Sequence, residues 1–290
     1  MPNIDGIHAT EKRLMLPDGM ALSTSIFSSA ETAFARMGVF QAMATPKINS
    51  RDRLIVALDC ATTEEAREIV KTLDGVVSFF KVGLILQLAP GTEELIHWVI
   101  SSGKKVFLDY KYYDIPETVK KAVANACRLG VSFLTVHGTS TLIKSAVDGR
   151  GDNPLKLFTV TVLTSMDAHD IAELGYTQHS VEDLVLRRSL MALEAGCDGV
   201  IASGQEAQAI KEISLGRLLV VTPGIRDSGA APDDQKRRTT SRDAIIAGAD
   251  YLVVGRPITA APNMRAEAER LLQGMQLAFD EREALISTKS

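Results

Sequence analysis

The amino-acid sequence predicts an α/β protein, a (β/α)8 TIM barrel preceded by an N-terminal extension. Three observations carry the prediction. From residue 53 onward, eight short apolar runs alternate with helical patterns. A length of 290 residues suits one such barrel as a single unit. Charged and polar residues also gather just after the apolar runs, the end of each strand where a barrel meets its ligands. The expected organisation is an irregular or weakly helical extension over residues 1–50 and one barrel domain over 51–290.

The elements follow in order. Leu54-Ile55-Val56-Ala57-Leu58 reads as the first strand and ends at Asp59, and residues 63–73 carry a helical pattern. The second strand, 78–82, holds Lys81 among Phe79, Phe80 and Val82. Residues 105–108 form the third, leading into Asp109-Tyr110-Lys111-Tyr112-Tyr113-Asp114-Ile115-Pro116. Pro116 suits the first position of a helix over 117–123, because a helix start leaves that N–H unused. The fourth strand, 133–136, ends at His137, and the fifth, 158–162, at Thr164-Ser165. A helix over 182–195 precedes the sixth strand, 199–201. The seventh, 218–221, runs into Pro223-Gly224-Ile225-Arg226, a helix follows over 241–247, and the eighth, 251–254, ends at Gly255-Arg256-Pro257.

Composition narrows the function classes. A net charge of −4 with no sustained basic stripe argues against a nucleic-acid-binding protein, so the expected ligand is small. Cys60, Cys127 and Cys197 are odd in number and widely spaced, which predicts buried reduced thiols, a cytoplasmic location, and neither a disulfide framework nor a zinc site. No apolar run approaches the roughly 18 residues of a membrane span, so a soluble chain is expected. The first 42 residues lack both the apolar core of a secretory signal and the Arg-rich bias of a transit peptide. Met43-Ala44-Thr45-Pro46 leads straight into the barrel and suggests a functional start there.

The run at 109–116 is the chemically richest stretch. Strand side chains alternate faces, so Asp109 and Lys111 are expected to point the same way, with Asp114 on the turn into the next helix. Such a run also suits a surface ion-pair network; its place in a ring of polar strand ends favours a site. After the last strand, Gly255 permits close backbone approach and Arg256 offers a planar donor fork, a combination suited to phosphate. The segment 227–238 reads as a lid over that end, with Gln235 within reach of the phosphate. His137 is read equally as a packed residue or a ligand contact, and no partner at metal spacing accompanies it. Trp98 and the helical Met residues are read as core or interface, and the basic residues of the last helix as a solvated face.

Seven motifs in sequence order resemble the orotidine 5′-phosphate decarboxylase family: Leu-Asp at 58–59, Phe-Lys-Val-Gly at 80–83, D-x-K-x-x-D-I-P at 109–116, Val-Thr-Val-Leu-Thr-Ser at 160–165, Thr-Pro-Gly-Ile-Arg at 222–226, Asp-Asp-Gln-Lys-Arg at 233–237 and Val-Val-Gly-Arg-Pro-Ile-Thr at 253–259. The resemblance spans residues 53–260. It implies cofactor-free and metal-free decarboxylation of orotidine 5′-phosphate to uridine 5′-phosphate, the last step of pyrimidine synthesis. It implies that Asp59 and Lys81 meet the ribose, that Asp109, Lys111 and Asp114 form the charged array beside the reacting carbon, and that Thr164 meets the pyrimidine. Arg226, Gln235, Gly255 and Arg256 would hold the phosphate. Asp114, Ile115 and Thr118 would reach into the neighbouring subunit's site, making the protein a homodimer. Tyr112, Tyr113 and Glu117 depart from the family's usual residues without touching the charged array. A Mg2+-dependent sugar-phosphate enzyme on the same barrel and a catalytically silent nucleotide-binding barrel are the competing readings.

Overall fold

Eight parallel strands close into a barrel in sequence order, each paired with the next and the eighth with the first. The computed structural model describes residues 48–226, 237 and 239–288. Residues 1–47 of the proposed extension, with its Met43 start, and Gln235 of the proposed lid lie outside those residues. In chain order the elements are β1 (Leu54–Leu58), α1 (Thr63–Thr72), β2 (Phe79–Gly83), α2 (Leu84–Gln87), α3 (Thr92–Ser101), β3 (Lys105–Tyr112), α4 (Pro116–Leu129), β4 (Phe133–Val136), α5 (Ser140–Arg150) and β5 (Lys156–Val160). There follow α6 (Ala168–Glu173), α7 (Val181–Glu194), β6 (Gly199–Ile201), α8 (Ala207–Ile213), β7 (Leu219–Thr222), α9 (Ser241–Ala247), β8 (Tyr251–Val254), α10 (Arg256–Thr259) and α11 (Met264–Ser287).

Local chemistry sets the helix ends. The Thr62 hydroxyl accepts from the Glu65 N–H at the start of α1, and Ser180 and Asp183 cap each other's backbone at the start of α7. Pro116 occupies the first turn of α4, as expected, and Gly130 ends that helix in the left-handed conformation open to glycine.

Each strand is apolar on both faces because it separates two cores. Leu54, Val56, Phe80, Val82, Val106, Leu108, Leu134 and Val200 point outward into the layer beneath the helices. Ile55, Ala57, Phe79, Phe107, Phe133, Phe158, Val221 and Val253 point inward and fill the barrel. The inner aromatics interlock: Phe133 lies 4.6 Å from Phe158, 4.8 Å from Phe79 and 5.0 Å from Tyr251, centroid to centroid. Together they plug the barrel below its upper rim.

Several expectations need correction. β3 continues through Asp109 to Tyr112 instead of stopping at residue 108. β5 runs earlier than expected and ends at Val160, so Thr164 and Ser165 lie in the loop beyond. The reason is its neighbour: β6 ends at Ile201, and after Thr161 bonds the Ile201 carbonyl the ladder has no further partner there. Cys197 is buried, but Cys60 and Cys127 are only partly so; all three are free thiols. Arg282 of α11 is not on a solvated face. Its guanidinium stacks 5.0 Å from the Phe279 ring and donates to the Ala249 carbonyl at 2.8 Å.

Candidate active site

The period of two along each strand builds the site directly on top of the aromatic plug. Two residues beyond Ala57, Phe79, Phe107, Phe158, Val221 and Val253 come Asp59, Lys81, Asp109, Val160, Pro223 and Gly255, and all six line one cavity of about 480 Å3. Lys111, Ile85, Leu163, Thr164, Arg226 and Arg256 are also in its wall. Of the residues singled out in the sequence, Asp59, Lys81, Asp109, Lys111, Thr164, Arg226, Gly255 and Arg256 are therefore brought together.

At the cavity's base the charges alternate in sign. Lys81, only 8% exposed, places Nζ 3.0 Å from Asp59 Oδ1 and 3.6 Å from Asp109 Oδ2. Lys111 Nζ donates to Asp109 Oδ1 at 2.9 Å. Burial alone would push the Asp109 carboxyl up, but Lys81 and Lys111 outweigh it and hold Asp109 below the usual carboxylate range. Asp109 is thus an anion at neutral pH, bracketed by two ammonium groups. Gly83 is part of this fit, since a Cβ there would lie 2.9 Å from Lys81 Nζ.

Lys111 meets Asp109 as expected, although not through regular alternation. Its φ of +50° lies in the left-handed region that side-chain-bearing residues seldom adopt, and the β3–β4 register shifts between Leu108 and Tyr112. Thr135, completely buried on β4, stabilises this irregularity. Its hydroxyl donates to Asp109 Oδ1 at 2.9 Å and accepts the Lys111 N–H at 2.9 Å. Sequence reasoning missed Thr135; the one available signal was a lone polar side chain in an otherwise apolar strand.

The ends of β7 and β8 carry a second charge centre in the same cavity wall. Arg226 follows β7 and Arg256 opens α10, with Gly224 and Gly255 beside them. Arg226 Nη1 donates to the Ile225 carbonyl at 2.8 Å.

Three predicted residues stand apart. Asp114, Ile115 and Thr118 are exposed and do not line the cavity; Asp114 Oδ1 accepts the Ile115 N–H at 2.6 Å. Ile115 is 66% and Tyr113 68% exposed, so the turn into α4 presents apolar surface. His137 is also outside the cavity. Its Nδ1 sits 3.1 Å from the Val160 carbonyl and its ring 5.4 Å from that of Tyr113, while burial depresses its pKa and favours the neutral form. Among the described residues, no cluster of three or more His, Cys, Asp or Glu side chains is placed to hold a metal ion, and no helix is long and apolar enough to cross a membrane.

Fold and site together define a class: a (β/α)8-barrel enzyme with an alternating charge array at the strand ends and two arginines in the same cavity wall. Within that class, the chain belongs to the Orotidine 5′-phosphate decarboxylase / HUMPS family, whose model matches residues 52–271. It is 54% identical over 226 residues to the orotidine 5′-phosphate decarboxylase of Nitrobacter winogradskyi, covering 78% of this chain and 93% of the relative. The corresponding protein of Methylobacterium nodulans is 47% identical over 225 residues, covering 77% and 94%. The crystal structure of orotidine 5′-phosphate decarboxylase from Lactobacillus acidophilus superposes with a TM-score of 0.67 at 34% identity, covering 77% of this chain and 98% of that one.

Proposed function

We propose that this chain decarboxylates orotidine 5′-phosphate to uridine 5′-phosphate and CO2 in pyrimidine synthesis, without a cofactor. The observation that carries the reading is the alternating array Asp59, Lys81, Asp109, Lys111 at the base of a cavity whose wall also holds Arg226 and Arg256. Relatives between 44% and 54% identical that bear the decarboxylase name favour it over the sugar-phosphate branch of the family.

Breaking the bond between C6 of the pyrimidine and its carboxylate leaves an electron pair on C6. With no electron sink, that charge must be stabilised by fixed charges nearby. Lys111 supplies the ammonium, then transfers a proton to C6, leaving a neutral amine that regains its proton from water. Asp109 keeps Lys111 charged and oriented through the 2.9 Å contact. Asp59 and Lys81 hold the ribose hydroxyls, and Thr164 the pyrimidine. Arg226, Gln235, Gly255 and Arg256 hold the phosphate, whose binding energy helps keep the reacting carbon in register.

The active form is a homodimer with shared sites. In support, Asp114, Ile115 and Thr118 lie outside their own chain's cavity on an exposed, partly apolar turn. Asp114 supplies the second carboxylate next to Lys111 of the neighbouring chain, and Ile115 and Thr118 line that chain's site. Residues 51–290 constitute the catalytic domain and residues 1–50 an appendage to it; the chain works in the cytoplasm. The direct test follows the fall in orotidine monophosphate absorbance with and without EDTA. Turnover indifferent to EDTA is expected, whereas no turnover, or turnover abolished by EDTA, would refute the proposal.

A further inference from the structure

Arg237 comes from the segment between β7 and α9, yet its side chain is buried at 9% exposure beneath the loop that follows β5. One guanidinium and one amide hold three consecutive carbonyls of that loop. Arg237 Nη2 donates to Val162 O at 2.9 Å and to Leu163 O at 3.1 Å, and its backbone N–H donates to Thr164 O at 3.2 Å. Nη1 pairs with Glu206, the residue that opens α8 and is itself 6% exposed. The loop after β6 closes the knot, for the Ser203 hydroxyl donates to the Arg237 carbonyl at 3.3 Å. Two residues further on, Thr239 bridges to Ile225, and its carbonyl accepts the Arg226 N–H at 3.0 Å.

This pair is a poor device for stability alone. Burying two charges costs several kcal/mol that their attraction recovers only with full hydrogen bonding. Glu206 Oε2 and Arg237 Nε find no partner among the described residues. What the arrangement does achieve is placement. The same short stretch fixes both the loop bearing Thr164 and the backbone of Arg226, two parts of the cavity wall.

We propose that Arg237, anchored by Glu206, is a positioning residue that sets the base-recognising loop after β5 against the phosphate-recognising end after β7. It touches no substrate; it acts through Val162, Leu163 and Thr164. For its kinetic consequences the inference rests on the proposed function. Lysine cannot replace Arg237, because a single ammonium lacks the planar fork that reaches Glu206 and two carbonyls at once.

The test uses the full chain with Arg237→Lys and, so that a buried unpaired charge does not confuse the result, the paired replacement Glu206→Leu with Arg237→Met. Both should remain folded by thermal melting. Hydrogen exchange in peptides covering residues 161–166 should accelerate at least about 10-fold in both, while exchange in β1–β3 stays unchanged. With orotidine monophosphate, kcat/KM should fall on the order of 10-fold or more. Thr164→Ala should then cost far less in the Arg237→Lys background than in the wild type, since coupled residues are not additive. Unchanged exchange at residues 161–166 would overturn the inference whatever the activity. So would additive effects of Thr164→Ala and Arg237→Lys in a folded, active enzyme. Lack of wild-type turnover would refute the proposed function, while the exchange measurement would still decide the role of Arg237.

Discussion

Asp109→Asn isolates the centre of the charge array, because the amide keeps the side chain's shape while removing its charge. At an effective dielectric of about 20, a carboxylate attracts an ammonium by about 6 kcal/mol at the 2.9 Å of Lys111 and about 5 kcal/mol at the 3.6 Å of Lys81. Desolvation of the carboxylate cancels much of that gross attraction, and removing one member of a buried pair typically costs about 3–5 kcal/mol. The lower end applies here: Lys81 retains Asp59 at 3.0 Å, and the amide oxygen can still accept from Thr135. A loss of about 3 kcal/mol in a barrel of this size corresponds to a Tm lower by about 6–12 °C. The kcat should fall by about 100- to 1,000-fold, the usual effect of removing one preorganised electrostatic group. Calorimetry and an absorbance assay measure the two effects. A Tm within about 1 °C of wild type together with kcat within about 3-fold would refute the claim that Asp109 organises the array.

Other consequences are open to test. Asp109 has a folded pKa below its unfolded value, so its stabilisation is complete above about pH 4 and disappears as pH falls through the lower, folded value; urea midpoints should drop more steeply below about pH 4 in wild type than in Asp109→Asn. Lys111→Ala should abolish turnover yet still bind uridine monophosphate in calorimetry, and near-normal turnover would remove Lys111 from the mechanism. Mixing inactive Asp114→Ala and Lys111→Ala chains should restore activity, because one site of each heterodimer has both wild-type residues; no recovery in verified heterodimers would exclude shared sites. Deleting residues 1–42 should leave Tm and kcat/KM unchanged, since the first described anchors of the barrel are Ile48 and Ser50, both hydrogen-bonded to Gln276.

Much of this architecture is legible in one dimension because parallel strands are buried on both faces and stand out as unbroken apolar runs. β1, β4, β6 and β8 coincide with the expected runs, and Pro116 marks the start of α4 correctly. Runs can be misread where pairing partners decide the boundary. Thr161 and Val162 have strand-like side chains, but β6 is too short to extend the ladder to them. The site was legible wherever a charge interrupted an apolar strand, as at Lys81 and Asp109. Thr135 escaped notice because threonine is an ordinary strand residue. Arg237 closes the Asp-Asp-Gln-Lys-Arg motif, but its pairing with Glu206 is not legible in sequence, because the two are 31 residues apart and only the fold buries them together. Similarly, Arg282 seemed a surface cation until its stacking on Phe279 became visible.

The interlocked rings of Phe79, Phe107, Phe133, Phe158 and Tyr251 make the barrel a blind well. Among the described residues these rings fill the barrel interior directly beneath Asp59, Lys81 and Asp109, so a product leaving downward along the barrel axis would have to displace packed aromatic side chains. The axial route is thereby closed to both products, which leave from the upper face of the barrel. Lys111, its side chain 32% exposed, meets solvent from that same face, so the side from which products leave is also the side from which the lysine is wetted.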